Sequence, residues 1–172
     1  MASLMENLID VLNKESSEYE HLLELSMRKT PVIVSGDLDA LQQITDEEQI
    51  VVSRINNLEK LRSENINDIA NVLNKDVNTL KLTNLIAMLE ARPMERQKLA
   101  EVHDRLQSVV RRMQMINNQN RELINNALEM VEFDMNLIQS MKTAPNTAEY
   151  NRGAYNAGNS MGVSRSGFDA KQ

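Results

Sequence analysis

The chain has 172 residues, no cysteine and a formal charge of −6, a length that suits one ordinary domain but not two full ones. The absence of cysteine excludes disulfides and zinc–thiolate sites. It is also compatible with the cytoplasm, where we expect this protein to be located. The acidic balance opposes binding to nucleic-acid phosphates, which requires clustered Lys and Arg. No apolar run of about 18 residues occurs, so we expect no membrane insertion.

The first two predicted helices are separated by the stretch KTPVIVSGD. Pro31 disfavours helical backbone at Thr30 and Gly36 permits a turn, so we predict that the first helix ends in this stretch. Asp37 is a favourable N-cap for the helix that follows. The second helix carries apolar residues at helical spacing as far as Leu73.

The remaining chain predicts a short helix, a very long helix and a tail. The stretch NKDVNT interrupts the periodic pattern, and apolar residues from Leu80 to Leu89 predict the short helix. Pro93 suits the first turn of the last helix, which has no stop signal before about Met141. We predict an all-α fold, an elongated antiparallel bundle or coiled coil of long helices with one short helix. Residues 1–142 form the helical domain, and residues 143–172, rich in Asn, Gly and Ser, form a disordered tail.

The first half of the last helix has one narrow apolar seam. The seam has the spacing of three and four residues that is typical of coiled coils, at Leu99, Val102, Leu106, Val109, Met113 and Ile116. Asn120 takes the next core position, and a stutter in the heptad follows it. A polar residue at such a position is predicted to specify the register of the packed helices.

The second half of this helix is apolar over a much wider surface. Placed at helical angles, the apolar residues of 127–141 cover roughly 220°, against roughly 120° for residues 99–116. Either this end is buried between the first and third helices, or part of it is an exposed groove for a helix of another chain. The residues assigned to partner binding are Ile124, Leu128, Val131, Phe133, Met135, Ile138 and Met141. The nearby Glu129, Glu132 and Asp134 are interpreted as a solvated face or as a contact for a basic partner.

The chain lacks the motifs of catalysis and of cofactor binding. Glu18 and His21 form one E-x-x-H pair, whereas a di-iron bundle requires two such pairs and two further inward glutamates. No phosphate-binding glycine loop and no H-E-x-x-H zinc motif is present. We therefore expect no enzyme activity and no cofactor, and keep a four-helix metalloenzyme as the third hypothesis.

Four segments resemble the FlgN family of flagellar type III export chaperones: LLEL at 22–25, SGDLDALQQITDEEQ at 35–49, NNLEKLR at 56–62 and INNQNRELI at 116–124. The last is similar to the family signature, with Asn117 and Asn120 as its paired asparagines and Leu123 and Ile124 as its apolar pair. The resemblance covers roughly residues 1–141.

The resemblance implies a cytoplasmic chaperone for flagellar hook-associated proteins, which form the hook–filament junction. Such a chaperone holds the C-terminal segment of its client, prevents premature assembly and delivers the client to the cytoplasmic domain of the export gate. The family uses the C-terminal part of the last helix and the residues after it for this purpose. That location coincides with the wide apolar surface of residues 127–141.

Two questions stay open at this stage. Tyr150 and Tyr155 lie in the similar pieces AEYNRG and GAYNAG, which are either chance in a biased linker or a short docking motif that orders on binding. The alternative function is that of a structural coiled-coil protein that self-associates through its last helix.

Overall fold

The computed structural model describes residues 2–143, and within them every regular element is helical. The elements are α1 (Ala2–Ser35), α2 (Leu38–Leu73), one 3-10 turn (Val77–Thr79), α3 (Leu82–Met88) and α4 (Pro93–Thr143). This confirms the predicted all-α class with long helices and one short helix. Residues 144–172, which include most of the predicted tail, lie outside the described part.

The described residues up to Phe133 form one compact unit, and the last residues of α4, from Asp134 to Thr143, belong to a second unit. The fold described below is that of the first unit. A domain boundary after residue 142 stays a prediction.

The α1–α2 connection consists of Gly36 and Asp37 alone. Gly36 has φ +70°, in the left-handed region that glycine adopts without steric cost. The Gly36 amide donates to the Ile33 carbonyl at 3.2 Å and the Asp37 amide donates to the Val32 carbonyl at 3.3 Å, which closes the end of α1 as a Schellman motif. The Asp37 carboxylate accepts from the Ala40 amide at 3.0 Å, so its predicted role as N-cap of α2 is confirmed.

Pro31 lies inside α1, which continues to Ser35. The first helix therefore ends within KTPVIVSGD, as predicted, but Pro31 does not interrupt the helical backbone at Thr30. Proline removes a single backbone hydrogen bond from the helix, and tertiary contacts compensate for it here. Ile33 is buried, and the Thr30 hydroxyl donates to the side-chain oxygen of Asn120 at 2.7 Å.

Contacts between distant residues define the order of the three long helices. α1 and α2 are antiparallel, because Glu18 contacts Arg54 whereas Lys29 contacts Glu48. α4 runs parallel to α1, because Glu20 pairs with Arg105 and Thr30 bonds to Asn120 further along both helices. The hairpin of α1 and α2 therefore packs with an α4 that is antiparallel to α2.

The core contains two clusters of buried apolar side chains. The larger cluster includes the predicted α4 seam residues Leu99, Val102, Leu106 and Val109, together with residues of α1, α2 and α3. The smaller cluster lies nearer the α1–α2 turn and consists of Leu22, Leu25, Ile44, Val51 and Ile55. The short α3 contributes Leu85 to the larger cluster, so its packing is at the opposite end of the hairpin from the turn.

Candidate docking groove

A layer of polar side chains fixes α4 against α1 at the two signature asparagines, of which Asn120 is buried and Asn117 is exposed. Asn120 is 3 % exposed, and its side-chain amide donates to the Ser26 carbonyl at 2.8 Å. Its side-chain oxygen accepts from the Thr30 hydroxyl at 2.7 Å, and the Ser26 hydroxyl donates to Asn117 Oδ1 at 3.0 Å. Because these bonds join residues about 90 positions apart, they set the register of α4 on α1.

Beyond this layer the helices leave α4 uncovered. Leu123 and Ile124 are half-buried, and every described residue from 125 to 143 is exposed. Leu128 is 62 % exposed and Val131 is 56 % exposed. The alternative in which the wide apolar surface is buried between α1 and α3 is therefore wrong, and the surface is open to solvent.

An apolar groove of about 300 Å³ lies where this part of α4 passes the α1–α2 turn. We call it the docking groove; its lining residues are Val32, Ile33, Gly36, Asp37, Leu38, Leu41, Ile124, Ala127, Leu128 and Val131. The last turn of α1, the first turn of α2 and one face of α4 each supply a wall. Leu38 directly follows the two-residue connection and is 75 % exposed. It therefore adds apolar surface at the opening of the docking groove.

The structure divides the predicted partner-binding residues into three groups. Ile124, Leu128 and Val131 line the docking groove. Phe133 is exposed in the same compact unit without lining the groove. Met135, Ile138 and Met141 are exposed in the second unit. Tyr150 and Tyr155 lie outside the described residues.

The sequence did not indicate the six lining residues that the α1–α2 hairpin supplies. Val32 and Ile33 lie in the stretch predicted to end the first helix, and Leu38 and Leu41 lie among the apolar residues at helical spacing in the second. The available signal was the apolar run PVIV at 31–34, which ends one residue before the Gly36–Asp37 connection. Such a run places apolar side chains at the end of a helical hairpin, where its own two helices do not cover all of them.

The described residues provide no support for a metal site or for a membrane-spanning helix. Within residues 2–143, no group of three or more His, Cys, Asp and Glu side chains is placed to hold a metal ion. Glu18 of the E-x-x-H pair accepts from Arg54 at 3.1 Å. None of the described helices combines the length and the hydropathy needed to cross a lipid bilayer.

One buried ion pair lies between α1 and α2, away from the groove. Glu15 is fully buried, and one of its carboxylate oxygens accepts from Arg62 at 2.8 Å. The other oxygen has no hydrogen-bond partner among the described residues. Burial raises the pKa of Glu15, and the Arg62 charge offsets only part of that effect. One turn further on, burial and a hydrogen bond to Glu59 raise the pKa of Tyr19 to about 12.

The described helices form a bundle that leaves an apolar groove open between three of them, and such a groove has a shape into which an amphipathic helix can dock. The family model described as "FlgN protein" matches residues 1–157, and the chain therefore belongs to the FlgN family. This match extends past the end of α4 and includes Tyr150 and Tyr155. FlgN is a family of flagellar chaperones rather than of enzymes, so membership indicates a flagellar export chaperone.

The chain is also similar to a curated bacterial protein. The "Uncharacterized protein YvyG" of Bacillus subtilis (strain 168) is 24% identical over 131 residues, which cover 76% of this chain and 78% of the relative. No solved structure matches the chain.

Proposed function

We propose that this chain is a cytoplasmic export chaperone that binds the C-terminal segment of flagellar hook-associated proteins. It prevents their premature assembly and delivers them to the cytoplasmic domain of the export gate. Family membership supports the chaperone role. The docking groove is the observation that supports a binding site at this place. Leu128 and Val131 remain exposed there, although residues of α1 and α2 line the same groove.

The groove is suited to reversible binding of an apolar helix. Each side chain that a client buries there contributes about 1.5–3 kcal/mol, and three or four of them offset the entropy lost on association. The resulting affinity is sufficient to cover a segment that would otherwise self-assemble. This affinity is also low enough for competition at the gate to release the client. Release by competition requires no nucleotide bound to the chaperone itself.

We further propose that exposed apolar residues outside the groove contact the client. Phe133 is 66 % exposed in the first unit, and Met141 is 71 % exposed in the second. Met135 and Ile138 belong to the same set. Methionine is flexible and polarizable, which allows these side chains to repack around more than one client. Tyr150 and Tyr155 are proposed as a docking motif for the client or the gate.

The test is calorimetric titration of the chain with a synthetic C-terminal segment of a hook-associated protein from the same organism. We expect saturable one-to-one binding that is lost in Leu128→Asp with Val131→Asp and in Val131→Asp with Ile138→Asp. These side chains are exposed, so the helical circular dichroism and the urea midpoint should be unchanged. Met115→Asp is the matched control, because Met115 is 63 % exposed on the same helix and does not line the groove.

The second candidate function is self-association, and the same exposed apolar surface of α4 favours it. A folded wild type that binds no client segment but forms a concentration-dependent oligomer would establish this structural role. In that case Leu128→Asp with Val131→Asp would dissociate the oligomer.

A further inference from the structure

The docking groove continues into a polar cleft at the end that lies away from the α1–α2 turn. This cleft has a volume of about 390 Å³, and Ile124 lines both depressions. The residues that line the cleft are Leu22, Ser26, Lys29, Glu48, Val52, Asn117, Asn120, Arg121 and Ile124. On α1 and α4 the cleft residues precede the groove residues in the chain, and on the antiparallel α2 they follow them. Cleft and groove together therefore form one furrow, about 21 Å long between Asn117 and Val131 of α4.

The cleft offers hydrogen-bond donors that the described chain does not use. Arg121 is exposed and belongs to no ion pair of the described residues. The Asn117 side chain accepts from the Ser26 hydroxyl through its oxygen, so the N–H groups of its amide are left to donate. The one acidic residue that lines the cleft is Glu48, and Lys29 pairs with it. With two cations against one anion, the cleft carries a net positive charge.

The opposite end of the furrow carries the opposite charge. Asp37 is the only charged residue that lines the docking groove, and it lies in the α1–α2 connection. Its carboxylate accepts from the Ala40 amide, and no ion pair of the described residues includes it. An apolar furrow with an anion at its turn end and the cation Arg121 at its cleft end has a direction.

This direction suits one orientation of a bound helix. The first turn of a helix presents free N–H groups and a partial positive charge, and the last turn presents free carbonyl groups and a partial negative charge. We propose that the client helix lies antiparallel to α4, with its chain-terminal carboxylate in the cleft at Arg121 and Asn117. The inference rests on the proposed function and adds to it the direction of the client and the position of its last residue.

The chemistry of the cleft matches the end of a chain. A C-terminal segment ends in an α-carboxylate, which a guanidinium such as that of Arg121 binds through two parallel hydrogen bonds. The Asn117 amide can donate to a carbonyl of the last helical turn, which has no acceptor role within the helix. The reverse orientation would place the N–H groups of the first turn against the donors of Arg121 and the carboxylate against Asp37. The furrow therefore disfavours that orientation.

The test compares two forms of one synthetic peptide, the C-terminal segment of a hook-associated protein from the same organism. Both forms are N-acetylated, and one ends in the free α-carboxylate whereas the other ends in a carboxamide. Amidation removes the terminal charge and keeps the shape of the terminus. In calorimetric titration we expect the free acid to bind about three- to tenfold more tightly than the amide. Equal affinities would overturn the carboxylate site.

Charge removal on the protein locates the effect. Arg121→Gln should weaken binding of the free acid by the same factor and leave binding of the amide unchanged, so that the variant no longer distinguishes the two peptides. Arg111→Gln is the matched control. Arg111 is exposed on the same helix, belongs to no ion pair of the described residues and lines neither the groove nor the cleft. This variant should keep the preference for the free acid.

Disulfide trapping measures the direction of the client. The chain has no cysteine, so Leu38→Cys introduces a single thiol at the turn end of the furrow. With oxidised glutathione as the oxidant, we expect this thiol to form a disulfide with a peptide that carries cysteine in its first helical turn. A peptide that carries cysteine in its last turn should react much less. Preferential trapping of the last turn would overturn the antiparallel orientation.

The failure of this inference and that of the proposed function give different results. Saturable binding with equal affinity for acid and amide removes the carboxylate site and leaves the client in the groove. An equal loss of both peptides in Arg121→Gln also overturns the inference, because Arg121 would then contact another part of the client. If the folded wild type binds neither form, the proposed client and this inference are both wrong.

Discussion

Asn120 occupies a seam position of α4 at which the preceding positions carry Leu, Val, Met or Ile. A buried amide without partners costs roughly 1–3 kcal/mol, but both ends of this amide are bonded to α1. Sliding α4 by one turn would leave the amide among apolar side chains. The residue therefore disfavours every alternative register, and in doing so it fixes which part of α4 reaches the groove.

We expect Asn120→Ala to lower the free energy of unfolding by about 1–3 kcal/mol, because the substitution removes the two hydrogen bonds that Asn120 makes with the Thr30 hydroxyl and the Ser26 carbonyl and also removes buried volume. Urea denaturation followed by circular dichroism measures the change. Asn125→Ala, at an exposed position of the same helix, is the control and should change stability little. Equal effects of the two substitutions would contradict a structural role for the signature asparagine.

Glu15 should make stability depend on pH. Its pKa is raised in the folded chain above the ordinary value of 4.5, so the folded state binds the proton more tightly than the unfolded state does. The contribution of Glu15 to wild-type stability then falls as pH rises from about 4.5 through the raised pKa, and the loss persists at neutral pH. We expect Glu15→Gln to gain stability relative to the wild type over this range and to show no gain below it, as measured by urea denaturation at several pH values.

Glu20 provides a control of opposite sign. A hydrogen bond from Arg105 lowers the pKa of Glu20, so its contribution is present above about pH 4.5 and is lost as pH falls through the lowered pKa. Glu20→Gln should therefore lose stability at neutral pH relative to the wild type. If both variants show the same pH dependence, the raised pKa of Glu15 is not the cause.

Among the elements, α1 shows most clearly where local rules and tertiary packing disagree. A proline inside a helix costs about 3 kcal/mol relative to alanine. Because proline also lowers the conformational entropy of the unfolded chain, up to about 1 kcal/mol of this cost is offset. We expect Pro31→Ala to raise the free energy of unfolding by about 1–2 kcal/mol. Thermal and urea denaturation measure it.

Pro93→Ala is the control for this substitution. Pro93 is the first residue of α4, where the missing amide hydrogen has no intrahelical acceptor. Stability should therefore change little. A gain at Pro93 as large as at Pro31 would show that helix propensity alone, and not the lost hydrogen bond, explains the effect.

The local signals predicted the limits of most elements but not their pairing. Asp37 as N-cap, Pro93 in the first turn and the α4 seam follow from chemistry within a few residues, and each agrees with the structure. The parallel arrangement of α1 and α4 depends on contacts between residues such as Ser26 and Asn117. No pattern within either helix specifies such a contact.

The same reasoning explains which part of the site the sequence revealed. The apolar width of residues 127–141 is a property of one helix and was visible as a pattern, although the pattern alone did not separate a buried surface from an exposed one. Leu38 and Leu41 join Leu128 only after the hairpin and α4 have packed. The run PVIV is a local signal for one wall, but no pattern within a single segment indicates that segments about 90 residues apart meet in one groove.

For the whole molecule, the charge around the groove bears on self-association. Two copies that met through this surface would bring Asp37, which lines the groove, and Glu132, which flanks it, towards the same residues of the other copy, and like charges repel. We expect the chain alone to sediment as a monomer at micromolar concentration and low salt, and to associate more at about 0.5 M salt, where the Debye length is only a few ångströms. A dimer that is stable at low salt would instead favour the structural role.

The connection between α1 and α2 also lines the docking groove. Most surface loops tolerate insertions and sequence drift, because nothing depends on their length. Here only Gly36 and Asp37 link two helix ends that each line the docking groove, and one added residue would rotate Leu38 and Leu41 away from Leu128. The shortest connection between two described α-helices thus restricts how its sequence can vary, in a manner usually expected of a buried core.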